Sequence, residues 1–185
     1  MPKRENVGRG KGLVLWLALT ASYGAFLNAH TIPVSYLTIV PDKDFVHVEL
    51  VLNPFELSFF SEIDTNRNGL LDRDELARFE EIGTRKLLEA IELRVEGKLV
   101  QAEVAGASLA VDSHHMILRA HFPVDARAVP ISVGCSLAKI TSGGHVTSVK
   151  YVNQGHRQSA LLDTEKGLVS FKPAGPTGKS NAQAR

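Results

Sequence analysis

Residues 64–75 form a twelve-residue run in which oxygen-bearing side chains alternate with other residues. The oxygens fall at positions 1, 3, 5, 9 and 12, and Gly69 falls at position 6, where a sharp turn favours a residue without a Cβ. A hard cation such as Ca²⁺ takes about 6–8 oxygen ligands, and this alternation directs them at one point. The predicted calcium ligands are Asp64, Asn66, Asn68, the backbone carbonyl of Leu70, Asp72 and Glu75.

The segments on either side of the run have apolar residues at helical spacing. They are Phe55, Phe59, Phe60 and Ile63 before the run, and Leu76, Phe79 and Ile82 after it. Asn53 suits the cap of the first helix and Pro54 its first residue. Gly83 is a weak point of the second helix, because glycine is a poor helix former. The unit predicted from these patterns is helix, loop, helix.

Residues 54–83 resemble the EF-hand family, which places a twelve-residue calcium loop between two helices. The one departure in type is Asn68 at position 5, where aspartate is the other accepted residue. The resemblance implies that Glu75 closes the calcium shell with both of its carboxylate oxygens. It covers under a fifth of the chain. The competing interpretation of the run is a solvated acidic turn without a metal.

The first residues have the pattern of a secretory signal. Basic residues precede an apolar stretch from Leu13 to Leu27, which is short and interrupted by polar residues. Such a stretch is a poor membrane span. We therefore expect a signal peptide over residues 1–29, cleaved after Ala29, and a secreted or periplasmic mature chain without a membrane span. The alternative is an uncleaved membrane anchor.

Composition excludes several classes of protein. The 21 Lys and Arg nearly balance the 20 Asp and Glu, so nothing favours nucleic-acid binding. Cys135 is the single cysteine, which rules out an intramolecular disulfide, and it is expected to be a buried thiol. The sequence has no nucleophile elbow, glycine-rich phosphate loop or metal-hydrolase helix. We expect no enzymatic activity.

The rest of the chain consists of short apolar, β-branched runs bounded by turn residues. The predicted strands cover residues 35–40, 45–52, 91–95, 99–104, 109–111, 116–122, 131–137, 146–152 and 168–171. This spacing predicts an α+β fold, an antiparallel β-sandwich over residues 30–172 with the EF-hand unit inserted at 54–83. Residues 173–185 lack an apolar pattern and are predicted to be a disordered tail.

The layout as a whole resembles a known extracytoplasmic domain. The segments that carry this resemblance are Pro33-Val34-Ser35-Tyr36-Leu37, the calcium loop, Gly155-His156-Arg157 and Leu168-Val169-Ser170-Phe171. They are similar to the domain that precedes the membrane helices of bacterial HupE/UreJ-type proteins, and this sequence departs from those proteins in having no membrane helices. The resemblance implies an exported bacterial β-rich domain with a single calcium loop. The transport role of the family's membrane part does not carry over.

Seven histidines suggest a second type of metal chemistry. Cleavage after Ala29 would make His30 the N-terminal residue, and a terminal amine and imidazole can chelate Cu or Ni together. Its partners would come from His47, His114, His115 and His121. The plainer interpretation is that these are surface or turn histidines, and His145, which follows Gly143-Gly144, is placed at a hairpin turn.

Two functional hypotheses follow from the sequence. In the first, the chain is an exported calcium-binding protein, and Ca²⁺ orders its EF-hand loop as part of a structural or interaction module. An interaction module would have a protein partner that the sequence does not identify. In the alternative, the chain is an extracytoplasmic Cu or Ni binding protein that uses His30 and other histidines.

Overall fold

The computed structural model describes residues 32–109, 115–141 and 144–173. The predicted signal peptide and all but the first residue of the predicted tail lie outside these ranges. Ten strands occur within them: β1 Val34–Pro41, β2 Val46–Leu52, β3 Ile91–Val95, β4 Lys98–Val100, β5 Glu103–Leu109, β6 Met116–Phe122, β7 Ile131–Cys135, β8 Val146–Asn153, β9 His156–Leu162 and β10 Leu168–Phe171. The α-helices are α1 Phe60–Ile63, α2 Arg73–Arg78 and α3 Thr84–Glu89. A π-helical turn at Phe79–Gly83 joins α2 to α3, and 3₁₀ turns lie at Pro54–Glu56 and Leu137–Lys139.

The strands form two sheets. The larger has six strands in the order β5-β6-β2-β1-β8-β9, and the smaller has four in the order β10-β7-β3-β4. All pairs are antiparallel except β1 with β8, which run parallel from Val34 opposite Val146. The expectation of an antiparallel arrangement is therefore wrong at this pair. The two strands are far apart in the chain, and a long connection allows the parallel direction that a hairpin forbids.

Both sheets bury one face, as the alternation of their residues requires. Along β2 and β3 every second residue is buried, including Val48, Leu50 and Leu93. Apolar residues of the two sheets and of the helical segments form a single hydrophobic cluster. Each fully buried residue of this kind contributes about 1.5–3 kcal/mol. The fold is thus mixed α+β, mostly strands in two sheets, with its three α-helices between β2 and β3.

The first predicted helix is not continuous. Residues 54–63 divide into the 3₁₀ turn and the four-residue α1, and the expected single helix is wrong. Leu57 is extended and forms an isolated antiparallel bridge with Thr141, and the N–H of Ser58 donates to the carbonyl of Ile140 at 2.8 Å. These contacts with a distant segment take two residues out of helical geometry, so tertiary pairing overrides the apolar spacing.

The second predicted helix continues past the weak point at Gly83. Helical backbone runs from Arg73 through the π turn at Phe79–Gly83 to Glu89. The missing side chain of Gly83 leaves room for the ring of Phe79. A Cβ at this position would lie 2.8 Å from that ring. None of the helices within the described ranges combines the length and apolar character needed to cross a bilayer.

Most of the predicted strands are present, with four differences. The strand predicted over residues 109–111 is not separate: Leu109 ends β5, and residues 110–111 lie outside the described ranges. The strand predicted over residues 99–104 is divided between β4 and β5. The strand predicted over residues 131–137 ends at Cys135, before the 3₁₀ turn at Leu137–Lys139. The sequence interpretation missed β9 altogether. That strand lies at the edge of the larger sheet and exposes most of its side chains, so it lacks the apolar alternation of the others.

Candidate metal centre

The predicted calcium loop starts at the end of α1 and overlaps the first turn of α2. Asp72 is the N-cap of α2, and its Oδ1 accepts the N–H groups of Asp74 and Glu75, both at 3.0 Å. The Oε2 of Glu75 accepts the N–H of Asp72 in return, at 3.2 Å. This reciprocal capping box satisfies backbone donors that have no partner inside the helix. It also fixes the positions of Asp72 and Glu75, two of the predicted calcium ligands.

The first half of the loop is held by hydrogen bonds from backbone N–H groups to the predicted ligands. Asp64 accepts the N–H of Asn68 at 3.2 Å with Oδ1 and that of Gly69 at 3.1 Å with Oδ2. Asn66 Oδ1 accepts the N–H of Asn68 at 2.9 Å, and Asn68 Oδ1 accepts the N–H of Leu70 at 2.8 Å. Asp and Asn side chains commonly close local turns of this kind. The three side chains are therefore tied to the inside of one turn.

Backbone geometry in this turn fits the sequence. Gly69 has a φ of +75°, a conformation that residues with a Cβ rarely adopt. Arg67 also has a positive φ, of +57°. Leu70 is 45% exposed whereas Leu71, at position 8 of the loop, is 8% exposed and packs inward. The carbonyl of Leu70 remains a predicted ligand.

Glu75 reaches back from α2 to the start of the loop. Its Oε1 accepts the N–H of Thr65 at 2.8 Å, the hydroxyl of Thr65 at 3.1 Å and the N–H of Asn66 at 3.2 Å. Burial by itself would raise the pKa of the Glu75 carboxyl. The hydrogen bonds from Asp72, Asn66 and Thr65 outweigh burial and hold that pKa below its ordinary value. Glu75 is therefore a carboxylate at neutral pH.

The loop places two carboxylates where solvent hardly reaches them. Asp64 is 8% exposed and Glu75 is 2% exposed. In the described part of the chain, no ion pair joins either of them, or Asp72, to a basic side chain. Buried carboxylates without an opposite charge beside them are costly, even when they accept hydrogen bonds. A bound cation is one way to compensate their charge. The donor set of carboxylate, amide and backbone oxygens is the one that Ca²⁺ prefers.

The carboxylates of the loop do not gather at one point. Within the described ranges, no three or more His, Cys, Asp and Glu side chains gather closely enough to hold a metal ion. In the loop, Asp72 instead caps α2 and receives the amide of Asn66 at 3.2 Å, while Glu75 binds backbone N–H groups. This count covers only His, Cys, Asp and Glu, so it leaves out the side-chain amide oxygens of Asn66 and Asn68 and the backbone carbonyl of Leu70, which are also predicted calcium ligands.

The flanks of the loop are anchored in the core. Ile63, Leu71 and Phe79 are buried members of the hydrophobic cluster. The rings of Phe55 and Phe60 lie 4.8 Å apart, and a Cβ at Gly69 would be in ordinary contact with Phe55. The turn at Gly69 therefore lies beside the ring of Phe55, in the 3₁₀ turn that precedes α1.

The described histidines proposed as Cu or Ni ligands do not gather at one place: His47 and His121 are neighbours, whereas His115 interacts with Glu56. His47 and His121 are cross-strand neighbours on β2 and β6, with ring centroids 4.6 Å apart. His156 is exposed at the start of β9. His30 and His114 lie outside the described residues. The Cu or Ni hypothesis depends on His30 and so remains a prediction.

His145 is the residue whose setting the sequence interpretation missed. It directly precedes β8, but β7 and β8 lie in different sheets, so the predicted hairpin turn is wrong. Its side chain is only 2% exposed. Its Nε2 lies 2.9 Å from the hydroxyl of Ser35, and its Nδ1 lies 3.7 Å from a carboxyl oxygen of Glu56. A serine, histidine and acid in line can form a nucleophilic triad, and here the serine, Ser35, is fully buried. The signal available in the sequence was only a lone histidine after two glycines.

A comparison of the sequence with models of known protein families finds no match, and a comparison with curated proteins finds none either. The site is accordingly interpreted from its own geometry.

Proposed function

We propose that this chain is an exported calcium-binding protein in which Ca²⁺ orders a single EF-hand loop over residues 64–75. The observation that carries the proposal is the placement of Asp64 and Glu75. Both carboxylates are nearly buried, both are oriented by backbone N–H groups of the loop, and neither forms an ion pair with a basic residue in the described ranges. A divalent cation with oxygen ligands would neutralise them.

The proposal includes the finer architecture. We infer an exported β-sandwich into which the EF-hand unit is inserted between β2 and β3. Support comes from the single hydrophobic cluster that the two sheets share, and from the loop flanks that join it through Ile63, Leu71 and Phe79. Because the loop is tied to the common core, Ca²⁺ would act as a structural clip within an interaction or structural module.

The expected affinity follows from the location and the ligands. Extracellular modules with such loops bind Ca²⁺ at roughly 10⁻⁴–10⁻³ M, and three carboxylates in an exported loop favour this weak range. Binding to the folded form alone would add about 2.7 kcal/mol of stability at a calcium concentration 100 times Kd. A clip of this kind is filled wherever calcium is plentiful, which suits a structural role better than a sensing one.

Calorimetric titration of the chain with CaCl₂ tests the proposal. We expect one binding event per chain, and a rise in Tm with calcium concentration in parallel scans. MgCl₂ is the control, because Mg²⁺ requires a smaller octahedral site and gives up its water reluctantly. If millimolar Ca²⁺ produces no binding heat and no rise in Tm, the calcium proposal is overturned. Export is tested separately, by expression with residues 1–29 in place and mass spectrometry of the exported product, which should begin at His30.

A further inference from the structure

Asn68 and Gly69 form the single Asn-Gly pair of the sequence, at positions 5 and 6 of the loop over residues 64–75. A backbone nitrogen that follows an asparagine can attack the side-chain carbonyl of that asparagine and close a five-membered succinimide ring. Glycine hinders this attack least, because it has no Cβ and a permissive backbone. The pair therefore has the residue types that spontaneous deamidation requires.

The other described asparagines each lack one of the conditions for this reaction. Asn53 precedes Pro54, whose nitrogen carries no hydrogen and cannot attack. Asn153 is 1% exposed, and its Nδ2 donates two hydrogen bonds inside the fold. Asn66 is exposed, but it precedes Arg67, whose side chain hinders the attack. Sequence and exposure therefore single out the Asn-Gly pair.

The leaving group of the reaction is accessible. Asn68 is exposed, and its side-chain oxygen accepts the N–H of Leu70 at 2.8 Å. The side-chain nitrogen of Asn68, which must leave as ammonia, donates no hydrogen bond to another described residue. Ammonia can thus leave, and water can enter, without a rearrangement of the hydrophobic core.

The attacking nitrogen is the atom that the fold restrains. The N–H of Gly69 donates to Oδ2 of Asp64 at 3.1 Å, and Asp64 is 8% exposed. Before Gly69 can attack, its N–H must leave this buried carboxylate, and the Asn68 side chain must leave the N–H of Leu70. The reaction therefore requires a local opening of the turn, and its rate follows the population of the open turn.

We propose that Asn68-Gly69 is a deamidation site that calcium protects. The nitrogen of Gly69 forms a bond to Cγ of Asn68 and gives its proton to water, while the bond from Cγ to Nδ2 breaks and ammonia leaves. Water then opens the succinimide at either of its carbonyls, which yields aspartate or isoaspartate. The net change consumes water and releases ammonia, and nothing is oxidised or reduced.

The protection by calcium rests on the proposed function, whereas the chemical step does not. Asp64 and Asn68 are both predicted ligands, so an ion bound to them stabilises the closed turn. Binding to the closed form alone lowers the population of the open turn by the factor 1 + [Ca²⁺]/Kd. With a Kd of roughly 10⁻⁴–10⁻³ M, about 10 mM Ca²⁺ should slow deamidation about 10- to 100-fold.

Both products change the calcium loop. Aspartate at position 5 adds a carboxylate to those of Asp64, Asp72 and Glu75, and the EF-hand pattern accepts aspartate there. Because affinity rises with the charge of the ligands, this product should bind Ca²⁺ more tightly. Isoaspartate lengthens the main chain within the loop and displaces the ligands that follow, so this product should lose Ca²⁺ binding.

Peptide mass spectrometry of the full chain, incubated at neutral pH with EGTA or with about 10 mM CaCl₂, tests the site. Trypsin releases residues 68–73, in which Asn68 is the only asparagine, and residues 44–67, which contain Asn53 and Asn66 as internal controls. In EGTA we expect the amide of Asn68 to become an acid faster than those of the controls. In CaCl₂ the conversion of Asn68 should be at least about tenfold slower.

The outcomes separate the chemical step from its protection. If residues 44–67 deamidate as fast as residues 68–73 in EGTA, the Asn-Gly site is overturned. If Asn68 converts equally fast in EGTA and CaCl₂ although calorimetry shows bound Ca²⁺, the protection is overturned. If calorimetry shows no bound Ca²⁺, the proposed function and the protection both fail, and the rates in EGTA still decide the chemical step.

The restraint by Asp64 is tested without calcium. In EGTA, Asn68 should convert faster in the chain unfolded by urea than in the folded chain, because the bond from Gly69 to Asp64 is then absent. Equal rates in the folded and unfolded chain would contradict the restraint.

The effect of the aspartate product is tested with Asn68→Asp. Calorimetric titration with CaCl₂ should show an affinity at least about threefold higher than that of Asn68→Ser, which keeps a side-chain oxygen without the charge. Far-UV circular dichroism confirms that both variants are folded. An affinity of Asn68→Asp no higher than that of Asn68→Ser would refute the expected effect of the added charge.

Discussion

Glu75 Oε1 accepts the backbone N–H of Thr65 at 2.8 Å, so the last predicted ligand of the calcium loop is bonded to its second residue. The same oxygen accepts the N–H of Asn66, and Oε2 accepts that of Asp72. One buried carboxylate thereby closes the loop on itself and caps the helix that follows. Four predictions follow from this arrangement and from the packing around it.

Glu75→Gln is expected to reduce calcium affinity by at least about tenfold, or about 1.4 kcal/mol. The change keeps the size of the side chain but removes the charge and one of the two ligand oxygens. Calorimetric titration with CaCl₂ measures it. Glu81→Gln is the matched control, because Glu81 is an exposed glutamate of the same helical run. Equal affinities of the two variants would mean that Glu75 is not a ligand.

The two roles of Asp72 can be separated by two substitutions. Asn is as good an N-cap as Asp, so Asp72→Asn should keep the calcium-free stability while weakening calcium binding. Asp72→Ala removes the cap from Asp74 and Glu75 as well and should cost about 0.5–2 kcal/mol without calcium. Urea unfolding in EGTA, followed by calcium titration, measures both effects. If both variants lose the same free energy of unfolding in EGTA, the capping role of Asp72 is contradicted.

Stability without calcium should fall as the pH drops below the ordinary pKa of a glutamate, near 4.5. The pKa of Glu75 is lower in the folded chain than in the unfolded one, so its contribution is present above the unfolded pKa and is lost as the pH falls through the folded pKa. Urea unfolding between pH 6 and pH 3 measures the slope. Glu75→Gln should show a shallower slope.

Other acidic residues also lower the stability as the pH falls, and they do so equally in wild type and in Glu75→Gln. A hydrogen bond from Arg127 lowers the pKa of Asp125 to about 2, and backbone hydrogen bonds lower the pKa of Asp163. Because neither lies in the loop, the difference between wild type and Glu75→Gln isolates Glu75. Parallel pH profiles of the two proteins would refute its depressed pKa.

Gly83→Ala should destabilise the protein by about 1–3 kcal/mol. Alanine normally favours a helix over glycine by about 1 kcal/mol, but here its Cβ would lie 2.8 Å from the fully buried ring of Phe79. Gly167→Ala is the control, because a Cβ there meets nothing within 4 Å. Thermal unfolding of both variants measures the effect, and a stabilised Gly83→Ala would show that the ring moves aside.

The sequence predicted elements best where neighbouring residues decide the outcome. Strands β3, β6 and β10 have the predicted bounds, because their apolar alternation reports which face is buried. β9 was missed since an edge strand with an exposed face carries no such alternation. Its hairpin with β8 is set by Gln154 and Gly155, which both have positive φ.

Long-range pairing decided what the sequence interpretation got wrong. The predicted helix over residues 54–63 is broken because Leu57 pairs with Thr141. The parallel alignment of β1 with β8 likewise depends on pairing between two strands that are far apart in the chain. Local propensity does not show that Leu57 pairs with Thr141, or that β1 pairs with β8.

The sequence by itself determined the turn over residues 64–75, because its hydrogen bonds join residues at most ten apart, as from Thr65 to Glu75 and from Gly69 to Asp64. Only the tertiary structure decided the setting of His145. Its partners Ser35 and Glu56 come from β1 and from the turn after β2, and pairing of β1 with β8 is what brings them together. Spacing encodes a site within one loop, whereas a site between strands exists only once the sheet has formed.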